Sequence, residues 1–516
     1  MVQWVGTIYF LHKINHGYSQ INMDTEILSI AILLIPVAII LGSWLWSRSH
    51  QNTQRELTAE TLEQKTLESY IDRVADLVLN CNLTTSNEDD EIRTVTRALT
   101  ANTLRNVNAE RKGFIVHYLY DSSLLKVGAP VINLRMLDLA GANLSRFNLS
   151  EVGLQGAQLT KANLNEADIS QSDLRAAELP GATLVKANLK GTYLRGANLQ
   201  KANFTNAELA GATFSKADLK GANLQGANLE NANFNDSDLS GANLKGANLR
   251  GAKLRSAILV KANLESANLN MANLHHADLN EAILEHSTLN GANLSNAKAD
   301  NIKSQKASYS GAVMNDISMA GADLRTADLS MANLRGASLN AANLQGSQLR
   351  DAILGRANLS GAVLKGAKLN RANLSLANLR GANLSKAVLE DAGLSGADLR
   401  NTVLRGANCR GSVLRGAILG GADLSNSDLS MVNLRWGNLT NARLRGADLS
   451  KADLSEAEVT KEQLAMAKSL EKAIMPDVVS PAQPPLIVGT PSREQPSEFS
   501  KPQETDKTSA KEEQLT

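Results

Sequence analysis

His275, His276 and His286 come nearest to a metal cluster in this 516-residue sequence, since neutral imidazoles are the usual ligands of zinc and copper. The two cysteines, Cys81 and Cys409, stand far apart and form no metal-ligand pair. No phosphate-cradling G-x-x-x-x-G-K-[ST], no H-E-x-x-H and no G-x-S-x-G occurs. Asp and Glu are plentiful but scattered, so no catalytic pair, cofactor site or metal site is assigned, and the chain is not read as an enzyme. A second pattern concerns anions. Arg400, Arg405, Arg410 and Arg415 recur at intervals of five and read either as a solvated set of surface charges or as a contact for lipid headgroups or nucleic-acid phosphates. Whatever positions them also counts in fives.

In LSGANLKGANLRGAKL, residues 239–254, Leu falls at 239, 244, 249 and 254, with Ala two residues before each of the last three. An α-helix cannot use this beat, because an apolar residue at every fifth position wanders around the cylinder. Ala-x-Leu has the two-residue period of a strand, which sends both side chains to one face. If the other residues turn the chain by a right angle, Ala and Leu always face inward. The chain then winds as a square coil of short strands, an all-β solenoid. From Leu134 to Val459 the register holds without a break, with Leu at 55 of 66 centre positions and Ala at 50 of the 66 positions two residues earlier. A long residue beside a methyl suits a narrow interior that larger pairs would overpack.

The A-N/D-L-x-x unit, as in Ala242-Asn243-Leu244 or Ala422-Asp423-Leu424, resembles the pentapeptide-repeat proteins over residues 132–459. The resemblance implies a right-handed quadrilateral β-helix with four pentapeptides per coil, about 16 coils and a rod of about 80 Å at the ordinary strand spacing. Residues 51–131 look like the helical region that precedes the repeats in membrane-linked cyanobacterial members, and 460–475 like a C-terminal cap helix. Some members of the family mimic duplex DNA in shape and charge and protect DNA gyrase. Here residues 134–459 hold 35 Lys and Arg against 29 Asp and Glu, a net of +6, which disfavours a mimic and leaves a nucleic-acid partner unexpected. With four faces per coil, His276 and His286 lie on opposite sides and share no metal, while the four arginines encircle the rod.

The N-terminus has a separate character. Residues 1–26 form a short leading segment, with Met23 an alternative start. ILSIAILLIPVAIILGSWLW, residues 27–46, is uncharged and long enough to cross a hydrocarbon core of about 30 Å as one helix. Trp44, Trp46 and Arg48 read as its interfacial anchor, and Lys13 before the span against Arg48, Arg55 and Lys65 after it places the repeats in the cytoplasm. In the helical region Leu67, Tyr70, Ile71, Val74, Leu77 and Val78 form one apolar stripe, and Ile92, Val95 and Leu99 a second. Ser86 with Asp89, and Asn108, are the expected helix caps. The region should cover the strand edge of the first coil, or bind a partner. Beyond Pro476 the chain is rich in Pro, Ser, Gln, Lys and Glu and reads as a disordered tail.

Two further features concern the rod. Cys409 occupies a centre position and reads as a small core residue. The centres Ala299, Ser304, Tyr309, Met314 and Met319 break the Leu run across residues 299–319 while Ile302 and Ile317 fill normally small positions, which reads either as compensating repacking or as a bend or docking groove. Arg400, Arg405, Arg410, Arg415 and Tyr309 are therefore the candidate interaction residues of a membrane-anchored, non-enzymatic scaffold. The identity of its protein partner and its oligomeric state are not legible.

Overall fold

The computed structural model describes residues 25–125 and 130–477, apart from the side chains of most residues before Gln54. One 20-residue register runs through the repeats: parallel bridges join each residue before a centre to the one twenty positions on, from Asp138 with Gln158 to Asn438 with Glu458. Each coil is therefore four pentapeptides. Face 1 has its centres at Leu134, Leu154 and every twentieth residue onward, face 2 at Leu139, face 3 at Leu144 and face 4 at Leu149. Faces 1 and 3 oppose each other, as do 2 and 4.

One repeat shows why five residues suffice. The Leu244 N–H donates to Asn263 O at 2.7 Å and the Gly246 N–H to Glu265 O at 2.9 Å, while the Asn248 N–H donates back to Ala227 O at 2.9 Å. These three bonds form the ladder between coils. The Ala247 N–H closes the corner on Leu244 O at 3.0 Å, and Gly246 sits at φ +66°, the hydrogen bond and positive φ of a type II turn. One donor remains, and the side chain of Asn243 accepts it: Lys245 N–H to Oδ1 at 3.3 Å. Every backbone N–H of the unit is thus paired, as buried backbone requires. The repeated Asn or Asp is an Asx-turn acceptor. On face 4 the amide side chains also stack, Asn248 Nδ2 donating to Asn228 Oδ1 and Asn268 Nδ2 to Asn248 Oδ1, both at 3.1 Å.

The core is the column of Leu and Ala within the square, buried from Leu134 to Val459. Phe214 and Phe234 stack on face 1 at 4.6 Å between ring centroids. Residues 299–319 keep both register and ladder. Their centres are all buried, as are Ile302 and Ile317. The irregularity is repacking of the interior, with no slip between coils.

Among the described residues four α-helices flank the solenoid. Helix α1, Thr25–Asn80, is followed by a short 3-10 turn, Leu83–Thr85, then by α2, Glu91–Arg105, and α3, Ala109–Asp121; α4, Lys461–Ala465, follows the last repeat. Helix α1 joins residues 27–46 and the first cap helix in one continuous helical backbone, where the sequence suggested two separate elements. Among the described residues no helix is long and apolar enough to cross a membrane. The side chains of residues 27–40, on which most of the membrane expectation rests, and those of Trp44 and Trp46, lie outside the described set, while Arg48 is exposed.

Leu67, Tyr70 and Val74 of α1 are buried as their spacing predicts. The second stripe is corrected at Val95, which is 52 % exposed; Ile92 and Leu99 pack partly buried against the core, and α2 buries Thr96, Thr100 and Leu104 beside them. Threonine can take a core position there because its hydroxyl is paired, Thr100 Oγ1 lying 2.9 Å from Tyr70 Oη and donating to Thr96 O. Asn108 caps α3 through Arg111 N–H. Ser86 and Asp89 do not cap α2, whose N-cap is Asp90, because Ser86 is engaged by Arg93 at 2.9 Å.

The cap meets the first coil through its orphan carbonyls. Arg93 donates to Pro130 O at 3.3 Å, Arg97 to Arg135 O at 2.8 Å and Lys112 to Ala140 O at 3.3 Å. The Asn143 N–H, which has no preceding coil to reach, donates to Ala109 O at 3.3 Å. At the other end the expected helix over 460–475 is five residues long. A Thr460–Gln463 capping box starts it, and Gln463 Nε2 donates to Leu439 O and Ala442 O at 2.7 and 2.9 Å. The chain then rejoins the ladder, Ser469 bridging Asp448 and Ile474 bridging Asp453. The interval becomes 21 because the helical turn takes one extra residue. Pro476 is buried, so the sequence from 478 onward, rather than from 476, lies outside the described residues.

Candidate interaction surface

Each pentapeptide sends three side chains outward, the residue before the centre and the two after it. Reading every twentieth residue gives each face its charge. Face 1 carries ten basic and five acidic residues and face 3 eleven and five, against seven and nine on face 2 and seven and ten on face 4. The rod therefore has two opposed basic faces separated by two mildly acidic ones. That polarity is invisible along the chain because consecutive residues of one face are scattered at intervals of twenty.

The four arginines lie one to a face, all exposed, in four different settings. On face 2 the Arg400 guanidinium grips Asp398 at 2.5 Å, and this contact holds the Asp398 carboxyl below its usual value. On face 3 Arg405 pairs with Asp423 of the next coil at 3.1 Å. Arg415 on face 1 stacks over the Trp436 ring, 4.2 Å from its centroid, where Arg435 also lies at 4.6 Å. On face 4 the Arg410 backbone N–H is held by Asn408 Oδ1 at 3.0 Å, and its guanidinium meets no carboxylate among the described residues. The ring exists as geometry, but two of its four charges are already neutralised by carboxylates within hydrogen-bond reach.

Tyr309 is not on the surface. It is fully buried on the inner side of face 4, its hydroxyl 2.6 Å from Ser304 Oγ. Burial pushes its phenol up to about 12. The two preceding centres of the same coil, Ala299 and Ser304, are small and leave it room, and the serine supplies the hydrogen bond that a buried hydroxyl requires.

The histidines divide as the register demands. His275 and His276 share face 1 with ring centroids 4.1 Å apart, and His286 lies on the opposed face 3. Among the described residues no group of three or more His, Cys, Asp or Glu is placed to hold a metal ion. Cys81 is exposed and Cys409 buried, and burial raises the Cys409 thiol to about 12. Sequence reasoning missed the Asx-turn role of Asn and Asp, the carbonyl-capping Arg93, Arg97 and Lys112, and the charge polarity of the faces. The regular N/D before each centre was a readable signal for the first of these.

The family described as pentapeptide repeats matches this chain in overlapping stretches over residues 138–255, 257–296 and 317–461. The gap at 297–316 coincides with the repacked coil. No curated protein matches the chain. Among solved structures it is similar to HetL, a pentapeptide repeat protein involved in heterocyst differentiation regulation from the cyanobacterium Nostoc sp. strain PCC 7120, at 30% identity over 57% of this chain and 94% of that one, with a TM-score of 0.24. Rfr23 from the cyanobacterium Cyanothece 51142 is 32% identical over 25% of this chain and 84% of its own, TM-score 0.17. Full-length QnrB1, a plasmid-mediated fluoroquinolone resistance protein, is 20% identical over 35% and 84%, TM-score 0.25.

Proposed function

Because the chain belongs to the pentapeptide-repeat family, we propose that it is a non-enzymatic scaffold, a rigid rod tethered to a membrane by residues 27–46 that presents its faces to a protein partner at the cytoplasmic side. The observation that carries this reading is the lattice of outward side chains on four faces, fixed by a continuous ladder of backbone hydrogen bonds between coils. Such a surface positions groups at regular intervals along the rod. The tether is supported by the uncharged run at 27–46 and by the single helix, α1, that carries this run into the cap. Within the cap α1 is joined to α3 by Glu60, whose carbonyl accepts from Arg111 at 3.4 Å, and by Glu63, whose carboxylate pairs with Arg111 at 2.8 Å.

A gyrase-protecting duplex mimic is the contrasting reading. A mimic needs a continuous anionic surface, whereas the most acidic face here carries seven bases against ten acids. The tethered-rod reading is tested on the full chain in native membranes. The chain should stay with the membrane after alkaline carbonate washing, and protease outside sealed spheroplasts should leave the repeats intact. Release by carbonate, or digestion of the repeats from outside, refutes it.

A further inference from the structure

The distal half of face 3 is more basic than any other surface of the rod. Between Lys303 and Gly446 it carries eight bases and two acids, whereas its proximal half, from Asn143 to His286, carries three of each. Lys303, Lys306, Lys365, Lys386, Arg443 and Arg445 are exposed and meet no carboxylate among the described residues. Both acids of the stretch are already held by bases of the same face, Asp323 by Arg325 at 2.7 Å and Asp423 by Arg405 at 3.1 Å. They offer no counter-charge to a neighbour.

From these residues we infer that distal face 3 is a docking surface for the anionic leaflet of a membrane. Arg325, Lys365, Arg405 and Arg445 recur every 40 residues, which is every second coil, so they form a straight row spaced by about 9.6 Å. With Lys303 and Lys306 the strip spans eight coils, seven spacings apart from end to end, or about 34 Å. A straight row of cations on a flat sheet matches a plane of headgroups better than the helical path of a duplex backbone. Single-stranded nucleic acid binds by stacking on aromatic side chains, and no Phe, Tyr or Trp faces outward on this strip. The choice of a lipid surface rests on the tethered-rod reading, which holds the protein at a membrane. The strip lies far from the anchored end, so its contact would lay the rod along the leaflet with faces 1, 2 and 4 left to protein partners.

The test uses the full chain with Cys81 replaced by serine and an environment-sensitive fluorophore at Gln345→Cys on face 3 or at Arg335→Cys, the equivalent position on face 1. Both sites are exposed, and the buried, protonated Cys409 thiol does not compete for label. With vesicles containing about a third phosphatidylserine the face 3 label should shift to the blue and the face 1 label should not. Neutral phosphatidylcholine vesicles should give no shift, and salt near 1 M, where the screening length is about 3 Å, should reverse it. The variant Lys365→Glu, Lys386→Glu, Arg445→Glu should weaken the contact at least about 100-fold, at roughly fivefold per basic residue near an anionic surface. Equal responses on both faces, a response to neutral lipid, a silent face 3 label, or a label that responds to duplex DNA and not to vesicles overturns the proposal. Carbonate resistance of the same samples reports the anchor separately: a chain that resists carbonate with face 3 silent loses only the docking surface, and a chain that washes off while face 3 responds loses only the tether.

Discussion

Replacing Gly113 by alanine should undock the N-terminal cap and leave the first coil as an open edge. A Cβ built at Gly113 would lie 2.2 Å from the Asn143 carbonyl oxygen, where such contacts do not fall below 3.0 Å. The obstacle is backbone on both sides, so α3 must retreat by roughly 1 Å. Two of its contacts with the coil are already long, Asn143 N–H to Ala109 O and Lys112 Nζ to Ala140 O, both 3.3 Å. A retreat of that size carries them beyond hydrogen-bonding distance. Each buried polar group left unpaired costs about 1–3 kcal/mol, so the docking of α3 should weaken by about 3 kcal/mol in total. Amide hydrogen exchange reads this directly: protection across α2 and α3 should fall on the order of 100-fold while that of the central coils stays unchanged. The exposed first coil should also associate, visible as a rise in mass by light scattering. Gly153→Ala is the control, since a Cβ there meets nothing within 4 Å and should shift stability by less than about 0.5 kcal/mol. Wild-type exchange in Gly113→Ala would refute the claim that close backbone approach seals this end.

Leu249→Asp should unfold several coils, because it buries an unpaired charge at a site with no solvent exposure, whereas Arg250→Asp loses only an exposed pair with Glu230 and should change the thermal midpoint little; equal midpoints would sink the inward and outward assignments. Thiol titration of the native protein should count one reactive cysteine, Cys81, and a second only after denaturation, since Cys409 is buried with its thiol raised to about 12. Acid should destabilise the distal coils. Asp398 is held below its ordinary value near 3.8 by Arg400, Asp448 by Ser450 and Asp453 by Ser455, so their contribution is fully present above the unfolded value and is lost as pH falls through the folded ones. The thermal midpoint should be flat from pH 8 to about 5 and drop below about 4, and Asp448→Asn with Asp453→Asn, which keep the Asx acceptor without its titration, should shallow that drop.

The five-residue beat determined by itself that the chain is a solenoid, which residues face inward, and that the register survives residues 299–319, because a period of two within a period of five leaves one geometry that buries every Ala and Leu. The uncharged run at 27–46 was legible separately, as a property of composition alone. What needed the tertiary structure were facts of partnership between distant residues. Tyr309 became a core residue only beside Ser304 and Ala299, and the α2 threonines could be buried only because hydroxyl and carbonyl partners wait for them. The C-terminal cap shrank to one helical turn because the remaining residues had a coil to rejoin. The opposed charges of the four faces emerge only when residues twenty apart are stacked, since an electrostatic surface is set by neighbours in space and the chain visits each face once per coil.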